Sequence, residues 1–334
     1  MAIRTSLKFD MRAPAFGTPP RELYAAALDM AQFADEIGIG AINAMEHHGF
    51  EDGYLPTPFV FGGGLAARTR RCRIMLGAVV LPLHDPVKIA EQIAVLDIMS
   101  DGRLDVIIGA GYVEAEFQMF RSSMGQRGKL LDNGLEVILR ALKGERFTDG
   151  DREVFVRPLP LQSPEDILIV GGGVPASAKR AARFGLGFGP MTRGLFDLYD
   201  EECRKLGRAP GRKSGPGKTG DIHLTNDPEA AWARIMPHLK HAVTDYARIA
   251  EESGVNSPFR GLLASEEALR TCGILTVCTP EQLLELAKGV DAYGSLTFMP
   301  LMGGMPPELG WESLNLLKEV MPQLLAMEPQ PAGA

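Results

Sequence analysis

The sequence predicts an α/β chain built as a closed (β/α)₈ TIM barrel, on three observations. Short β-type runs alternate with helical patterns from one end to the other, the signature of parallel βαβ units. Eight such strands are counted, which favours a closed barrel over an open sheet of five or six. The 334 residues, 45% of them hydrophobic, suffice for a large single core with insertions.

The first strand is Ser6 to Met11, followed by a helix from Pro20 to Ile37. That helix keeps an i, i+3, i+4 rhythm through Leu23, Ala26, Ala27, Met30, Phe33, Ala34 and Ile37, and Pro20 suits its first turn. The second strand, Ala41 to Met45, runs into Glu46-His47-His48. A helix over Phe59 to Arg68 leads to the third strand, Ile74 to Val80. The next helix opens on Pro86 and is stopped at Asp101-Gly102, before the fourth strand, Leu104 to Ile108. A helix over about Gln126 to Lys143 precedes a small hairpin turning at Asp149-Gly150. The fifth strand is Ile167 to Val170, with a helix over Pro175 to Phe184. Leu186 to Phe188 is the sixth strand, with a helix over Leu195 to Leu206. Asp221 to Thr225 is the seventh, Ser295 to Met299 the eighth, and Pro307 to Leu325 the closing helix.

The stretch between the seventh and eighth strands is too long for one connection. It predicts a helix over Asp227 to Glu252 within an inserted, lid-like region at about 207–274. The expected organisation is one barrel domain over 1–330 with a flexible tail at 327–334.

Net charge is −7 with both signs interspersed, and no basic stripe appears, so no nucleic acid partner is expected. No long apolar run occurs, so no membrane span is expected either. The four cysteines form no C-x-x-C pair and read as free thiols in a reducing, cytoplasmic setting.

Of the six histidines, two stand together at Glu46-His47-His48, directly after a strand. Successive side chains on a strand point to opposite faces, so two adjacent histidines are poorly placed to grip one metal. The H-E-x-x-H spacing is absent, and no metal is expected. In a barrel, the C-terminal strand ends carry catalytic groups, and a neutral imidazole there suits proton transfer near pH 7. The plainer reading is a structural histidine at a strand end. Gly171-Gly172-Gly173 follows an apolar strand and precedes a helix, a place where backbone N–H groups can receive an anion. The plainer reading there is a tight turn. Gly109-Ala110-Gly111 has the same position after the fourth strand but lacks the third glycine of a dinucleotide fingerprint. Gly217-Lys218-Thr219 lacks the preceding strand and the glycine of a P-loop, so a nucleotide loop is excluded. Asp97 and Arg103 flank a turn and read as a structural ion pair or cap. His84 follows the third strand and can face the same edge as His47. His238 and His241, three apart on a helix, read as solvated or packed.

Taken together, AMEHH, the block LAARTRRCRIMLGAVVLPLHDPVKIAEQIAVLDIMSDGRLDVIIGAGY, the segment ILIVGGGVPASAKRAARFG and the later CTPEQL resemble the bacterial luciferase-like flavin monooxygenase family. The resemblance implies a (β/α)₈ barrel that binds FMN, with reduced FMN as co-substrate supplied by a separate flavin reductase. Reaction with dioxygen through a flavin hydroperoxide would then oxygenate a small organic substrate. It implies His47 as the catalytic histidine with Glu46 supporting it, and a non-prolyl cis peptide at Gly77–Ala78 beside the flavin ring. Gly109, Gly111, Gly172 and Gly173 would line the cofactor site, and the family commonly forms homodimers. Where luciferase carries a cysteine and an arginine after the fourth strand, this chain has Gly109 and Ala110. The alternatives are a deazaflavin coenzyme-dependent dehydrogenase or reductase, with the same histidine taking the alcohol proton, and a non-catalytic flavin-binding homologue. A metal-dependent hydrolase on the same barrel is the remaining one.

Overall fold

A computed structural model describes residues 2–215, 220–253 and 265–331. Gly217-Lys218-Thr219, part of the expected insertion (254–264) and the last residues of the expected tail (332–334) lie outside the described residues. The chain divides into two compact units. The first comprises Met1–Asn43, His47–Pro56 and Gly217–Ala334; the second comprises Ala44–Glu46 and Thr57–Pro216.

Both units are built from parallel strands covered by helices. The strands are β1 (Thr5–Phe9), β2 (Ala41–Ala44), β3 (Arg73–Val80), β4 (Leu104–Gly109), β5 (Phe147–Asp149), β6 (Arg152–Val154), β7 (Leu168–Gly172), β8 (Gly187–Pro190), β9 (Asp221–Leu224), β10 (Leu275–Cys278) and β11 (Leu296–Phe298). The helices are α1 (Pro20–Ile37), α2 (Pro58–Arg68), α3 (Pro86–Met99), α4 (Glu114–Met119), α5 (Arg127–Leu142), α6 (Pro164–Ile167), α7 (Pro175–Phe184), α8 (Leu195–Lys205), α9 (Pro228–Ser253), α10 (Glu266–Thr271), α11 (Pro280–Ala287) and α12 (Pro307–Ala326). No helix among the described residues is long and apolar enough to cross a membrane.

In the first unit the strands run in the order β10-β9-β11-β1-β2. β1 pairs with β11, β11 with β9, and β9 with β10, all in parallel. β10 is a strand that the sequence reading did not separate from the CTPEQL helix, which begins two residues later as α11. LTVC is only four residues long, and periodicity does not discriminate strand from helix over so short an apolar run. α9 packs Trp232, Ile235, Leu239 and Val243 into a core shared with Leu275, Met302 and Met305. Met327 and Gln330, placed by the sequence in a flexible tail, accept backbone hydrogen bonds from Ile3 and Ala292.

His223, in β9, is 1% exposed, and its Nδ1 finds no hydrogen-bond partner among the described residues. Burial, helped by Arg234, pushes its pKa down from 6.5 to about 4. The folded chain therefore keeps the imidazole neutral where the unfolded chain begins to protonate. This contribution is fully present above pH 6.5 and is lost as the pH falls towards 4, to the extent of about 3 kcal/mol between pH 7 and 4. His223→Leu is expected to flatten that part of the acid destabilisation, read as the difference between urea unfolding curves at the two pH values. An equal acid loss in the variant would contradict the assignment.

In the second unit the order is β3-β4-β7-β8, again all parallel. Ile74, Leu76, Leu104, Val106, Ile108, Leu168 and Val170 are fully buried, the near-continuous apolar pattern of strands covered on both faces. β5 and β6 form the expected hairpin. Of the expected ion pair or cap at Asp97 and Arg103, the structure shows two separate caps. Asp97 accepts from the Leu161 and Gln162 backbone N–H groups, whereas Arg103 donates to Thr69 and to the Cys72 carbonyl. Because the strands are parallel, Val80, Gly109, Gly172 and Pro190 all end on one edge of this sheet.

Candidate active site

The C-terminal edge of the second unit is built from small residues set close together. The Gly77–Ala78 peptide is cis, as the family resemblance implies. Gly109 lies so near β3 that a Cβ on it would come within 3.0 Å of the Ala78 Cβ. Gly111 has φ +75°, and a Cβ there would meet Val80 Cγ1 at 2.6 Å, so only glycine fits. Gly172 closes β7 with φ +148°, and its hypothetical Cβ would sit 2.2 Å from Ser177 Oγ. Gly173 to Ala176 are exposed, and Pro175 starts α7; Pro175 carries no N–H and the Ser177 N–H donates to the Val174 carbonyl, so the Ala176 N–H is the first-turn donor left beside the glycines. A flat ring can approach such a low ledge, and a phosphate can approach the start of a ten-residue helix after two glycines. The residues suit a flavin mononucleotide in two respects: a ledge with few side-chain atoms, and glycine backbone beside a helix start.

Glu46, only 3% exposed, stands at the same edge. Its carboxylate accepts the Val80 N–H at 2.5 Å and faces His84 Nε2 at 2.6 Å. The end of β3 is thereby tied to the segment that follows β2. Glu46 and all six glycine and alanine positions expected for the cofactor belong to the second unit, whereas His47 belongs to the first.

In the first unit, His47 is 6% exposed, and its backbone N–H donates to the Leu55 carbonyl. Three aromatic rings stand edge-on around the imidazole: Tyr54 at 4.7 Å, Phe50 at 5.2 Å and Tyr246 at 5.7 Å between centroids. The two tyrosine hydroxyls are 2.8 Å apart. Burial raises both phenol pKa values above the ordinary one, so both stay protonated at neutral pH. Behind the rings lies Arg12, which is completely buried. Its Nη1 donates to Asp52 at 2.6 Å and to Asp245 at 2.8 Å, and Asp52 also faces His241 Nε2 at 2.7 Å. Burial works against both charges of the Arg12–Asp52 pair. The surrounding acidic groups keep Arg12 charged, and Arg12 with the hydrogen bonds holds the Asp52 carboxyl below its usual range. His238, by contrast, packs against the Gly303 carbonyl.

Arg12, Asp52 and Tyr246 are the residues that sequence reasoning missed. An arginine three residues beyond a strand carries no motif, and its partners lie 40 and 233 residues away.

The model of the luciferase-like monooxygenase family matches residues 7–292. The chain belongs to that family. A similar protein is the oxygenase component of the flavin-dependent trigonelline monooxygenase of Acinetobacter baylyi, 31% identical over 210 residues. The match covers 61% of this chain and 58% of that protein, so the chain spans somewhat over half of its relative's length. The crystal structure of the monooxygenase RslO1 from Streptomyces bottropensis superposes with a TM-score of 0.77 at 25% identity, covering 96% of this chain and 99% of that one. The oxygenating constituent of 3,6-diketocamphane monooxygenase from Pseudomonas putida, solved with FMN, gives 0.72 at 17% identity and covers 99% and 100%, which speaks for the fold alone. Within this luciferase-like family member, the parallel sheets and the small-residue strand ends are the features that the sequence motifs encode.

Proposed function

We propose that this chain is a flavin-dependent monooxygenase that oxygenates a small organic substrate with reduced FMN and dioxygen. The observation that carries the reading is the close-set edge formed by Gly77, Ala78, Gly109, Gly111, Gly172 and Gly173, in a chain of this family. We further assign the strands to one closed (β/α)₈ barrel over 1–330. Within the region at 207–274, β9 and α9 belong to the folded body and not to an inserted lid, because β9 pairs with β10 and β11 and α9 packs into the core. A cytoplasmic homodimer served by a separate flavin reductase completes the reading; a relative described as an oxygenase component supports the two-component arrangement.

When bound, reduced FMN supplies the electrons that activate dioxygen. The protein binds, orients and protects. Ala78 and Gly109 would support the ring, while the backbone of Gly172, Gly173 and the start of α7 would receive the phosphate. Glu46 fixes the end of β3 through the Val80 N–H, and so keeps the ledge in register. His47 gives and takes a proton at an imidazole nitrogen, within an aromatic surround that excludes water.

The test is turnover under ¹⁸O₂ with a flavin reductase, FMN and a panel of aldehydes, ketones and heteroaromatic acids. One labelled oxygen per product molecule is the expected result. Unlabelled product formed only with a deazaflavin coenzyme would replace this reading with a dehydrogenase. Flavin binding without any turnover on the panel would favour a non-catalytic homologue.

A further inference from the structure

We infer that Arg12 is a positioning residue for His47, acting through the three rings that the two side chains share. The inference rests on the reading of His47 as the proton-transfer group. The same three aromatic residues that surround the imidazole also surround the guanidinium. Arg12 Cζ lies 4.4 Å from the Tyr54 ring centroid, 5.0 Å from Phe50 and 5.6 Å from Tyr246. Each ring therefore lies within contact distance of both His47 and Arg12.

The hydrogen bonding of Arg12 is one-sided. Nη1 serves both Asp52 and Asp245, while Nε and Nη2 have no hydrogen-bond partner among the described residues. Where a buried guanidinium leaves N–H groups without oxygen acceptors, an aromatic face is an electron-rich surface that can receive the cation, and three such rings lie 4.4 to 5.6 Å from Arg12 Cζ. The cation is thus fastened at Nη1 and clamped between rings over the rest of its plane. Lysine can carry the charge but offers no plane to clamp.

The clamp joins three separate pieces of chain in the first unit. Arg12 follows β1, Phe50 and Tyr54 share a loop with His47, and Asp245 and Tyr246 lie on α9. Asp52 closes the circuit by facing both Arg12 and His241 of α9. The Tyr54–Tyr246 hydroxyl contact ties the loop to the helix on the far side. Moving the guanidinium would release the rings first, and the imidazole they hold would follow.

The test uses the full-length protein with ¹³C-labelled histidine, and the variants Arg12→Lys and Asp245→Asn. Asp245 is a quarter exposed, so Asp245→Asn gives a folded protein to measure even if Arg12→Lys should fail to fold. The His47 ring resonances are assigned by their loss in His47→Gln. In both variants they are expected to move towards the positions of unstacked histidine while those of His84 stay in place. Where oxygenated product is measured, Arg12→Lys lowers kcat by about 100-fold with KM for the substrate unchanged, the scale of a small misplacement of a catalytic group. Unmoved His47 resonances in folded Arg12→Lys and Asp245→Asn proteins would overturn the inference. A wild-type protein that makes no product would instead sink the monooxygenase reading, and the resonance shifts would still decide the positioning role.

Discussion

His47→Gln is expected to slow turnover by about 10²–10⁴-fold while leaving the affinity for reduced FMN unchanged. Glutamine keeps polarity and comparable bulk among Phe50, Tyr54 and Tyr246 but cannot exchange a proton near neutral pH. All the backbone groups proposed to hold the flavin lie in the second unit, so the substitution separates chemistry from binding. The measurement is steady-state product formation beside an anaerobic flavin titration of the same preparation. Unchanged turnover would return His47 to the role of a structural histidine at a strand end.

Asp97→Ala is expected to cost about 3–5 kcal/mol of stability. Asp97 has no solvent exposure at all. Its Oδ2 accepts the Leu161 N–H at 2.7 Å and the Gln162 N–H at 3.0 Å, and its Oδ1 accepts Gln162 Nε2 at 2.7 Å. Removing the carboxylate leaves those donors unanswered in the interior and frees the segment that leads into α6 and β7. Asparagine restores one acceptor but turns an amide donor towards other donors, so Asp97→Asn recovers only part of the loss. Urea unfolding followed by circular dichroism reads the effect. A loss below about 1 kcal/mol would mean that the 161–162 segment is held by other contacts.

Much of the architecture was legible because local chemistry and tertiary role agree. α1 and α7 begin at the prolines and end at the residues that the periodicity predicts, since each is stopped by a glycine in the left-handed conformation, Gly38 or Gly185. The same holds for the β5–β6 hairpin, whose turn is marked by Asp149-Gly150. Elements of four to six residues were less visible. α4, α6, α10 and β10 are too short to complete a pattern, and tertiary contacts decide them.

The candidate site divides along a similar line. His47 and the glycines stand in motifs at strand ends, so residue type and position alone point to them. Arg12 could not be found that way. Its meaning comes from Asp52, Asp245 and three rings that fold to it from distant segments, and nothing in the pentapeptide around it signals that. Glu46 was legible as a site residue, but its partners, the Val80 N–H and His84, became evident only with the pairing of strand ends in space.

The central claim is that the glycine-rich edge of the second unit holds reduced FMN. Anaerobic titration with oxidised FMN, reduced FMN and the deazaflavin coenzyme, in wild type and in Gly172→Val, tests it most directly. The account requires reduced FMN to bind most tightly of the three. It also requires the valine, whose Cβ would collide with Ser177 Oγ, to weaken that binding in a protein that remains folded. Tighter binding of the deazaflavin, or reduced FMN affinity untouched by the substitution, would contradict it.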